Sequence, residues 1–261
     1  EICFIKVPDT LQALQALCAY HRKQFDIPVV AITGSNGKTV VKEWLYQLLR
    51  EDKNIVRSPK SFNSQVGVPL SVWQMNEEHT FAIFEAGISM PHEMGLLEKI
   101  IAPTVGIITN LGKAHDENFN DAEQKTHEKL KLFTHCNNLI YCKDYVVIHN
   151  ELNENEQYNS LKKFTWSRKI NADLLIGRIA KYATETEIQA VFKNQFIGIT
   201  IPFTDDASIE NAIHCWATML YLGYANEVIA KRMVLLSPIA MRLELKEGVN
   251  NCSIINDSYN S

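Results

Sequence analysis

The sequence lacks the features that mark several protein classes. Its 261 residues contain no C-x-x-C pair, no apolar run long enough to cross a bilayer, no signal peptide and no repeat or low-complexity tract. The six cysteines are scattered, which fits thiols kept reduced in a cytosol better than a disulfide framework or a zinc site. We therefore expect a cytoplasmic protein without a membrane anchor.

A large excess of charge of one sign is also missing. The chain has 26 Lys and Arg against 30 Asp and Glu, a net charge of −4, which argues against nucleic acid or an anionic membrane as the main partner. Hydrophobic residues make up 46% and charged residues 21%, proportions that allow a sizeable core. The chain starts at Glu1 without a methionine and stops at Ser261 without an obvious terminus. We expect a piece of a longer protein; the oligomeric state is open, with a monomer as the expectation.

Alternating strand and helix patterns predict an α/β fold with a mainly parallel sheet. In the first part of the chain the predicted strands are 29–32, 55–56, 81–87, 105–110, 139–141 and 146–148. The predicted helices there are 10–25, one that begins at Lys38, 91–101 with Pro91 in its first turn, and 121–135.

The pattern changes after about residue 163. Short segments rich in β-branched and aromatic residues predict a small antiparallel sheet, appended to the core, from 164–167, 173–180, 186–193 and 196–201. Helices are predicted for 209–222 and 225–236, the first ended by Gly223. The fold class is therefore a three-layer P-loop-type α/β fold, mainly parallel, with a small antiparallel β subdomain.

The stretch from 29 to 39 predicts a buried strand that runs into a glycine turn and then a helix. Such turns bind phosphates, because glycines let backbone N–H groups approach the anion and the helix N-terminus adds a positive dipole. The candidate residues are Gly34, Ser35, Asn36, Gly37, Lys38 and Thr39. Lys38 would supply a point charge, and Thr39 could ligate Mg²⁺. The common Gly-x-x-x-x-Gly-Lys-Thr form is altered, since Ile32 stands at its first glycine.

Further polar residues lie where predicted strands end, the edge at which ligands collect in open parallel sheets. Glu85 is either a cation ligand or the partner of a nearby Lys or Arg, because a buried unpaired charge would be too costly. His115 is either an ordinary core or surface histidine or part of a second metal site. Ser61 and Asn63 belong to a polar loop at the same edge.

These motifs resemble, in content and order, those of the Mur ligases, the ATP-dependent amide-forming enzymes of bacterial peptidoglycan precursor synthesis. The matching stretches are 33–39, 63–69, 85–87, 108–115 and 254–260. The resemblance implies a central ATP-binding domain over 28–255, with the antiparallel sheet at about 164–204. It further implies a link from an N-terminal domain over 1–27 and a hinge into a C-terminal domain over 256–261. The isolated fragment is expected to be inactive.

Within the family, the chain looks most like the ligases that join D-alanyl-D-alanine to UDP-N-acetylmuramoyl-tripeptide, which would be its substrates. The amino-acid sequence of residues 37–45 is also similar to that of family members that are fused to an alanine racemase. Two alternatives stay open: another Mur or folylpolyglutamate-type ligase, and a fragment that is only a nucleotide-binding module.

The resemblance also implies roles for individual residues. Lys38 and the 34–39 backbone would hold the β- and γ-phosphates of ATP. Thr39 and Glu85, helped by Ser61, would ligate one Mg²⁺. His115 would ligate a second, placed by a carbamylated lysine that matches Lys129. The alternative for Lys129 is a solvated helix face, since lysines also stand at 125 and 131.

Three further matches concern the nucleotide. Asn211 matches an asparagine that contacts adenine, with an ordinary helix cap as the alternative. Arg242 matches an arginine that reaches the phosphates, although Met241 stands where glycine is usual. Asp257 matches a hinge aspartate near the ribose.

Overall fold

A computed structural model describes residues 4–112, 118–119, 121–239, 244–247, 249 and 252–256. The predicted site residues His115, Arg242 and Asp257 lie outside the described residues. The helices are α1 Thr10–Arg22, α2 Lys38–Leu49, α3 Gly67–Val72, α4 Met94–Ile101, α5 Ala122–Leu130, α6 Val146–Glu154, α7 Asp206–Tyr221 and α8 Asn226–Met233. The strands are β1 Val29–Thr33, β2 Ile55–Arg57, β3 Phe81–Glu85, β4 Val105–Ile108, β5 Asn138–Cys142, β6 Lys162–Ser167, β7 Leu174–Lys181, β8 Thr186–Phe192, β9 Gln195–Ile201, β10 Glu244–Glu247 and β11 Ser253–Asn256.

Within the described residues, nine strands form one sheet in the order β2-β3-β1-β4-β5-β6-β7-β8-β9, and β10 pairs with β11 separately. Pairing is parallel from β2 to β7 and antiparallel among β7, β8 and β9. The predicted α/β class, mainly parallel with an antiparallel part, is confirmed. β1 lies between β3 and β4. The strands β2 and β3 lie on one side of it and β4 and the later strands on the other, so the direction in which strands are added to the sheet reverses at β1. Ligands in open α/β sheets bind at the carboxyl ends of the strands at such a point.

Alternate side chains of β1 enter the two cores that sandwich the sheet. Val30 and Ile32 pack on the face covered by α2 and α7, and Val29 and Ala31 pack on the face covered by α1 and α4. All five β1 residues are buried, which explains why this strand reads as a continuous apolar run. The strand that delivers the phosphate loop is therefore held rigidly at the centre of the fold.

The end of α5 is docked by a close contact between a ring and a strand. The chain continues from α5 into a 3₁₀ turn, Lys131–Phe133. A Cβ on Gly106 of β4 would lie 2.4 Å from the Phe133 ring, so only glycine lets the ring approach the sheet this closely. This contact fixes the helix that carries Lys129.

Two local predictions are wrong. The segment 146–148, predicted as a strand, is the first turn of α6: Ile148 and Leu152 are buried four residues apart, while Val146 is 63% exposed. That spacing is helical and outweighs the β-branched run. The helix predicted from residue 91 starts at Met94, because the Glu93 carboxylate accepts hydrogen bonds from the Ser89 and Met90 amides (2.8 and 2.9 Å) and closes a turn.

A third difference concerns the predicted antiparallel subdomain. Its first segment, 164–167, belongs to β6, which pairs in parallel with β5 over 138–142 and 162–166. The helix α6 provides the crossover that a parallel pair requires. β6 therefore extends the parallel sheet, and the antiparallel strands β7, β8 and β9 continue the same sheet.

No helix in the described parts of the chain combines the length and the apolar composition that crossing a bilayer demands.

Candidate functional site

The predicted phosphate loop connects β1 to α2 through two glycines with positive φ, +139° at Gly34 and +81° at Gly37. Residues other than glycine disfavour backbone conformations with positive φ. Space is also lacking, since a Cβ on Gly34 would lie 2.0 Å from the Thr109 hydroxyl oxygen. Both glycines are therefore required, and α2 directs its N-terminus into the turn at Lys38.

The end of β4 holds this loop in shape. The Ser35 amide donates to the backbone carbonyl of Asn110 at 2.9 Å, and the Asn36 amide donates to the Asn110 side-chain oxygen at 3.0 Å. In return, the Thr109 hydroxyl donates to the Asn36 carbonyl at 2.5 Å. The loop is thus fixed before any ligand binds, which lowers the entropic cost of binding an anion.

Two lysines meet over the Gly34 carbonyl. Lys38 Nζ donates to it at 2.9 Å and to the Ser35 carbonyl at 3.2 Å, and Lys129 Nζ lies 3.5 Å from the Gly34 carbonyl. A third, Lys125, donates to the Gly112 carbonyl at 2.6 Å. Positive charge is therefore concentrated at the mouth of the phosphate loop.

Lys129 is 3% exposed, so the solvated helix face is the wrong alternative for this residue. Burial, together with the positive charges of Lys38 and Lys125, lowers the pKa of its ammonium group to about 7. Near neutral pH a large fraction of the side chain is therefore an uncharged, nucleophilic amine.

Glu85 ends β3 with a fully buried side chain. Its Oε2 accepts a hydrogen bond from the Thr39 hydroxyl at 3.1 Å. Its Oε1 lies 2.9 Å from Lys42 Nζ, close enough for an ion pair but not aligned for a hydrogen bond. A lysine partner, one of the two alternatives for Glu85, is thus present, and the carboxylate also faces the predicted Mg²⁺ ligand Thr39.

The donor types at this place fit Mg²⁺. The ion prefers hard oxygen ligands and is commonly held by one or two carboxylates together with phosphate oxygens and water. Glu85 and Thr39 supply a carboxylate and a hydroxyl side by side. No group of three or more His, Cys, Asp or Glu in the described part of the chain could hold a metal, so an ion here would rely on hydroxyl, phosphate or water oxygens.

Lys42 links this carboxylate to the loop that carries Ser61. It is fully buried, lies 3.0 Å from a Glu43 oxygen and donates to the carbonyls of Ser58 (2.7 Å) and Lys60. Because Ser61 follows Lys60 directly, these contacts of Lys42 bring the loop that carries the predicted third metal residue close to Glu85. Lys42 was missed at the sequence level, although its position one turn after Lys38, inside an apolar stripe, was a usable signal.

A cavity of about 310 Å³ joins these elements. Its lining combines the phosphate loop, the polar loop after β2, the turn after β3 and α5: Gly34, Ser35, Lys38, Asn63, Ser64, Gln65, Val66, Gly87, Ile88, Ser89, Glu93 and Lys129. Lys38 and the protonated fraction of Lys129 supply its positive charge. The cavity therefore offers space for a polar, anionic group directly beside the phosphate loop.

Asn211 lies on α7 against the phosphate loop. It is 6% exposed, and a Cβ on Gly37 would lie 2.2 Å from its side-chain oxygen. The helix is capped by Asp205, which accepts from the Ser208 amide at 2.8 Å, so the helix-cap alternative for Asn211 is wrong.

A second cavity, of about 300 Å³, lies one turn away along both α2 and α7. Val40 and Ser208 line it, together with Trp44 and Phe203, whose rings stack at 4.8 Å between centroids. This partly aromatic cavity therefore lies near the contact between Gly37 and Asn211, three residues along each helix.

The structure thus brings the predicted phosphate loop together with three further predicted residues, Glu85, Lys129 and Asn211, at the carboxyl ends of the central strands. Ser61 lies in an adjoining loop. The predicted residues His115, Arg242 and Asp257 are not among those described. Thr109 and Asn110, which hold the loop, were predicted as the end of a strand and as part of the matching stretch 108–115, without a role of their own.

Comparison with known proteins gives consistent matches. The family model of the Mur ligase middle domain matches residues 32–219. The UDP-N-acetylmuramoyl-tripeptide--D-alanyl-D-alanine ligase of Bacillus subtilis (strain 168) is 30% identical over 98% of this chain and 55% of its own length. The same-named ligase of Rickettsia prowazekii (strain Madrid E) is 29% identical over 98% of the chain and 58% of its length.

Among solved structures, a crystal structure of MurF from Acinetobacter baumannii superposes with a TM-score of 0.87 at 26% identity, covering 98% of this chain and 56% of that one. The chain spans little more than half the length of the curated relatives it matches.

Proposed function

We infer the function of this chain from the family to which it belongs: it is a member of the Mur ligase family and contains that family's middle domain. We propose that it is the ATP-binding part of a ligase that forms an amide bond between UDP-N-acetylmuramoyl-tripeptide and D-alanyl-D-alanine. The observation that carries the proposal is the meeting of Lys38, Lys129 and the Thr39–Glu85 pair around a preformed phosphate loop. The names of the relatives support the substrates.

ATP would lie across the contact between α2 and α7. Its β- and γ-phosphates would bind the 34–39 backbone and Lys38, where the helix dipole and the ammonium attract negative charge. Asn211 would contact the adenine, with the nucleoside in the cavity beside Trp44 and Phe203. We also propose that Arg242 reaches the phosphates and that Asp257 lies near the ribose.

Mg²⁺ would be held by Thr39 and Glu85, with Ser61 in support, and a second ion by His115 and Lys129. When bound, these ions would neutralise charge on the transferring phosphoryl group. The two oxygens of Glu85 are already divided between Thr39 and Lys42. Lys42 therefore fixes the carboxylate so that its Oε2 stays beside Thr39.

Lys129 would carry a carbamate. Its neutral amine, populated because burial lowers the pKa to about 7, attacks the carbon of CO₂, forms an N–C bond and releases one proton. The product is an anion with two oxygen ligands, which suits a hard cation. It also replaces a repelled ammonium by a charge that the neighbouring Lys38 and Lys125 attract.

In the proposed reaction, the tripeptide carboxylate attacks the γ-phosphorus of ATP, ADP leaves, and an acyl phosphate forms. The amine of D-alanyl-D-alanine then attacks the acyl carbon, the C–O bond to phosphorus-bound oxygen breaks, and inorganic phosphate leaves while the amine gives up one proton. Lys38 and the loop N-terminus stabilise the charge that develops on the phosphoryl oxygens. The acceptor carboxylate would lie in the charged cavity, beside the polar loop that contains Asn63.

Titration calorimetry with ATP·Mg²⁺ tests the nucleotide site. We expect binding by the wild type and a loss of at least tenfold in affinity for Lys38→Ala, because an ammonium–phosphate contact is a charge-assisted interaction. Lys53→Ala, at an exposed lysine outside the site, is the matched control and is expected to bind like the wild type. A wild type that binds no ATP would contradict the proposal.

Glu85→Gln tests the metal assignment separately. The change keeps the shape of the side chain but removes the charge beside Thr39, so the gain in ATP affinity that Mg²⁺ gives should shrink while binding of metal-free ATP stays. Glu43→Gln is the control, since Glu43 also contacts Lys42. Equal Mg²⁺ dependence in both variants would argue against Glu85 as a ligand.

The remaining statements about the whole enzyme are proposals as well. Residues 1–27 would be a link, 28–255 the ATP-binding domain, whose antiparallel part consists of β7, β8 and β9, and 256–261 a hinge. A cytoplasmic, monomeric enzyme is proposed, and a fused alanine racemase stays a prediction. Phosphate release by a chain of the relatives' length, dependent on both substrates, would separate this ligase from another Mur or folylpolyglutamate-type ligase and from a nucleotide-binding module.

A further inference from the structure

His214 is a fully buried histidine of α7 whose two ring nitrogens both have partners. The indole Nε1 of Trp166 donates to its Nδ1 at 3.2 Å, and its Nε2 lies 2.9 Å from the backbone carbonyl oxygen of Thr109. None of the proposed ligand contacts uses this residue. It connects β6, through α7, to the end of β4.

The partners determine the protonation of the ring. An indole nitrogen can only donate and a carbonyl can only accept, so Nδ1 must present its lone pair and Nε2 must carry the hydrogen. A doubly protonated ring would turn an N–H toward the indole N–H. Complete burial acts in the same direction and lowers the pKa of His214 to about 4.

The carbonyl that His214 holds belongs to the residue that clamps the phosphate loop. Thr109 donates its amide to the Thr33 carbonyl at 3.0 Å and its hydroxyl to the Asn36 carbonyl at 2.5 Å. The following residue, Asn110, accepts the amides of Ser35 and Asn36. Thr109 is itself fully buried, so without His214 its carbonyl would lose a partner that water cannot readily replace.

The same helix also touches the loop directly, since Asn211 packs on Gly37 one turn before His214. The helix α7 therefore braces the phosphate loop at two points. Asn211 contacts Gly37 of the loop. His214 holds the Thr109 carbonyl, and the next residue, Asn110, binds the amides of Ser35 and Asn36.

We propose that His214, as the neutral Nε2–H tautomer, is a positioning residue that fixes the end of β4 and thereby the shape of the phosphate loop. The consequence for ATP affinity rests on the proposed function, whereas the bracing of the loop does not. A purely space-filling role would need no donor at Nε2.

Two amide substitutions, His214→Gln and His214→Asn, test the roles of the two ring nitrogens separately. Glutamine places an amide at the reach of Nε2 and can still donate to the Thr109 carbonyl, while asparagine reaches only the position of Nδ1. Thr218→Val is the matched control, because Thr218 is a buried residue one turn further along α7 whose hydroxyl donates to the His214 carbonyl at 2.7 Å and not to the loop.

Amide hydrogen exchange of the 261-residue chain, measured by NMR without ligand, is the first readout. We expect His214→Asn to speed exchange at Ser35 and Asn36 by about tenfold or more, the usual cost of an unpaired buried carbonyl, while core amides such as that of Ile107 keep their protection. His214→Gln and Thr218→Val should stay near the wild type at these two amides. Equal effects of the Asn and Gln variants, or an increase spread evenly over the core, would overturn the proposal.

Ring nitrogen shifts of the wild type give an independent test that needs no variant. At pH 7 we expect a protonated Nε2 and an unprotonated Nδ1 for His214, and the reverse tautomer or a doubly protonated ring would overturn the proposal. In calorimetry, His214→Asn should weaken ATP·Mg²⁺ binding and His214→Gln should not. If the wild type binds no ATP, the proposed function fails, while hydrogen exchange and ring shifts still decide the role of His214.

Discussion

Replacing Lys129 by methionine should stabilise the fold while it removes a residue that the proposed chemistry needs. The ammonium of Lys129 is 3% exposed and lies near Lys38 and Lys125. Methionine has a similar length, carries no charge and can occupy the same space. The side chain therefore offers a case in which stability and activity are expected to move in opposite directions.

The magnitude follows from the pKa of about 7 in the folded chain against 10.5 for an ordinary lysine. From pH 7 to about 10.5 the unfolded chain binds a proton that the folded chain does not, so stability must rise with pH. At about 1.4 kcal/mol for each pKa unit, the lowered pKa costs about 4 kcal/mol at pH 7 and about 2 kcal/mol at pH 9. Lys129→Met should recover these amounts, so its advantage over the wild type should shrink by about 2 kcal/mol between the two pH values.

Urea unfolding of wild type and variant at pH 7, 8 and 9 measures this difference, in buffer freed of CO₂ so that the amine stays unmodified. Lys99→Met, at an exposed lysine of α4, is the control and should run parallel to the wild type. If the difference between wild type and Lys129→Met did not change from pH 7 to pH 9, the lowered pKa and the reasoning built on it would be refuted.

Other changes test the backbone of the site. Gly37→Ala forces a side chain into a φ of +81° and against Asn211. We therefore expect the unfolding free energy to fall by about 1–2 kcal/mol from the backbone alone, and calorimetry to show loss of ATP binding. The control Gly95→Ala, in α4 with open space around it, should be neutral or stabilising by up to about 1 kcal/mol. Asp205→Ala removes the cap of α7 at the Ser208 amide and should cost about 1 kcal/mol by urea unfolding.

The parts of the fold that could be predicted from the sequence are those set by neighbouring residues. The strand, glycine turn and helix around Lys38 follow from local periodicity and from the backbone freedom of glycine. Glu85 could be placed at the mouth of the sheet because it ends an apolar strand. Its partner could not be named, since the ion pair with Lys42 joins residues on different elements.

The failures have a common physical cause. The segment 146–148 has the composition of a strand, but its burial is decided by Ile148 and Leu152 packing on the core, a tertiary effect that overrides local preference. The burial of Lys129 could not be predicted from the sequence either, because the lysine-rich sequence of α5 is typical of a solvated surface. His214 acquires its role only through Trp166 and Thr109, which are 48 and 105 residues away along the chain.

The way α7 closes over the phosphate loop has a consequence for the order of folding. Contacts between α2 and the C-terminal third join residues far apart, as the Cys215 thiol near the Val41 carbonyl (174 residues) and the Trp44 indole on the Ser237 carbonyl (193 residues) illustrate. Pairings of such long range form late, because the entropy of closing the intervening loop must be overcome first. During synthesis, the loop therefore emerges long before the helix that braces it. The nucleotide would then stabilise the finished domain and not guide its early assembly.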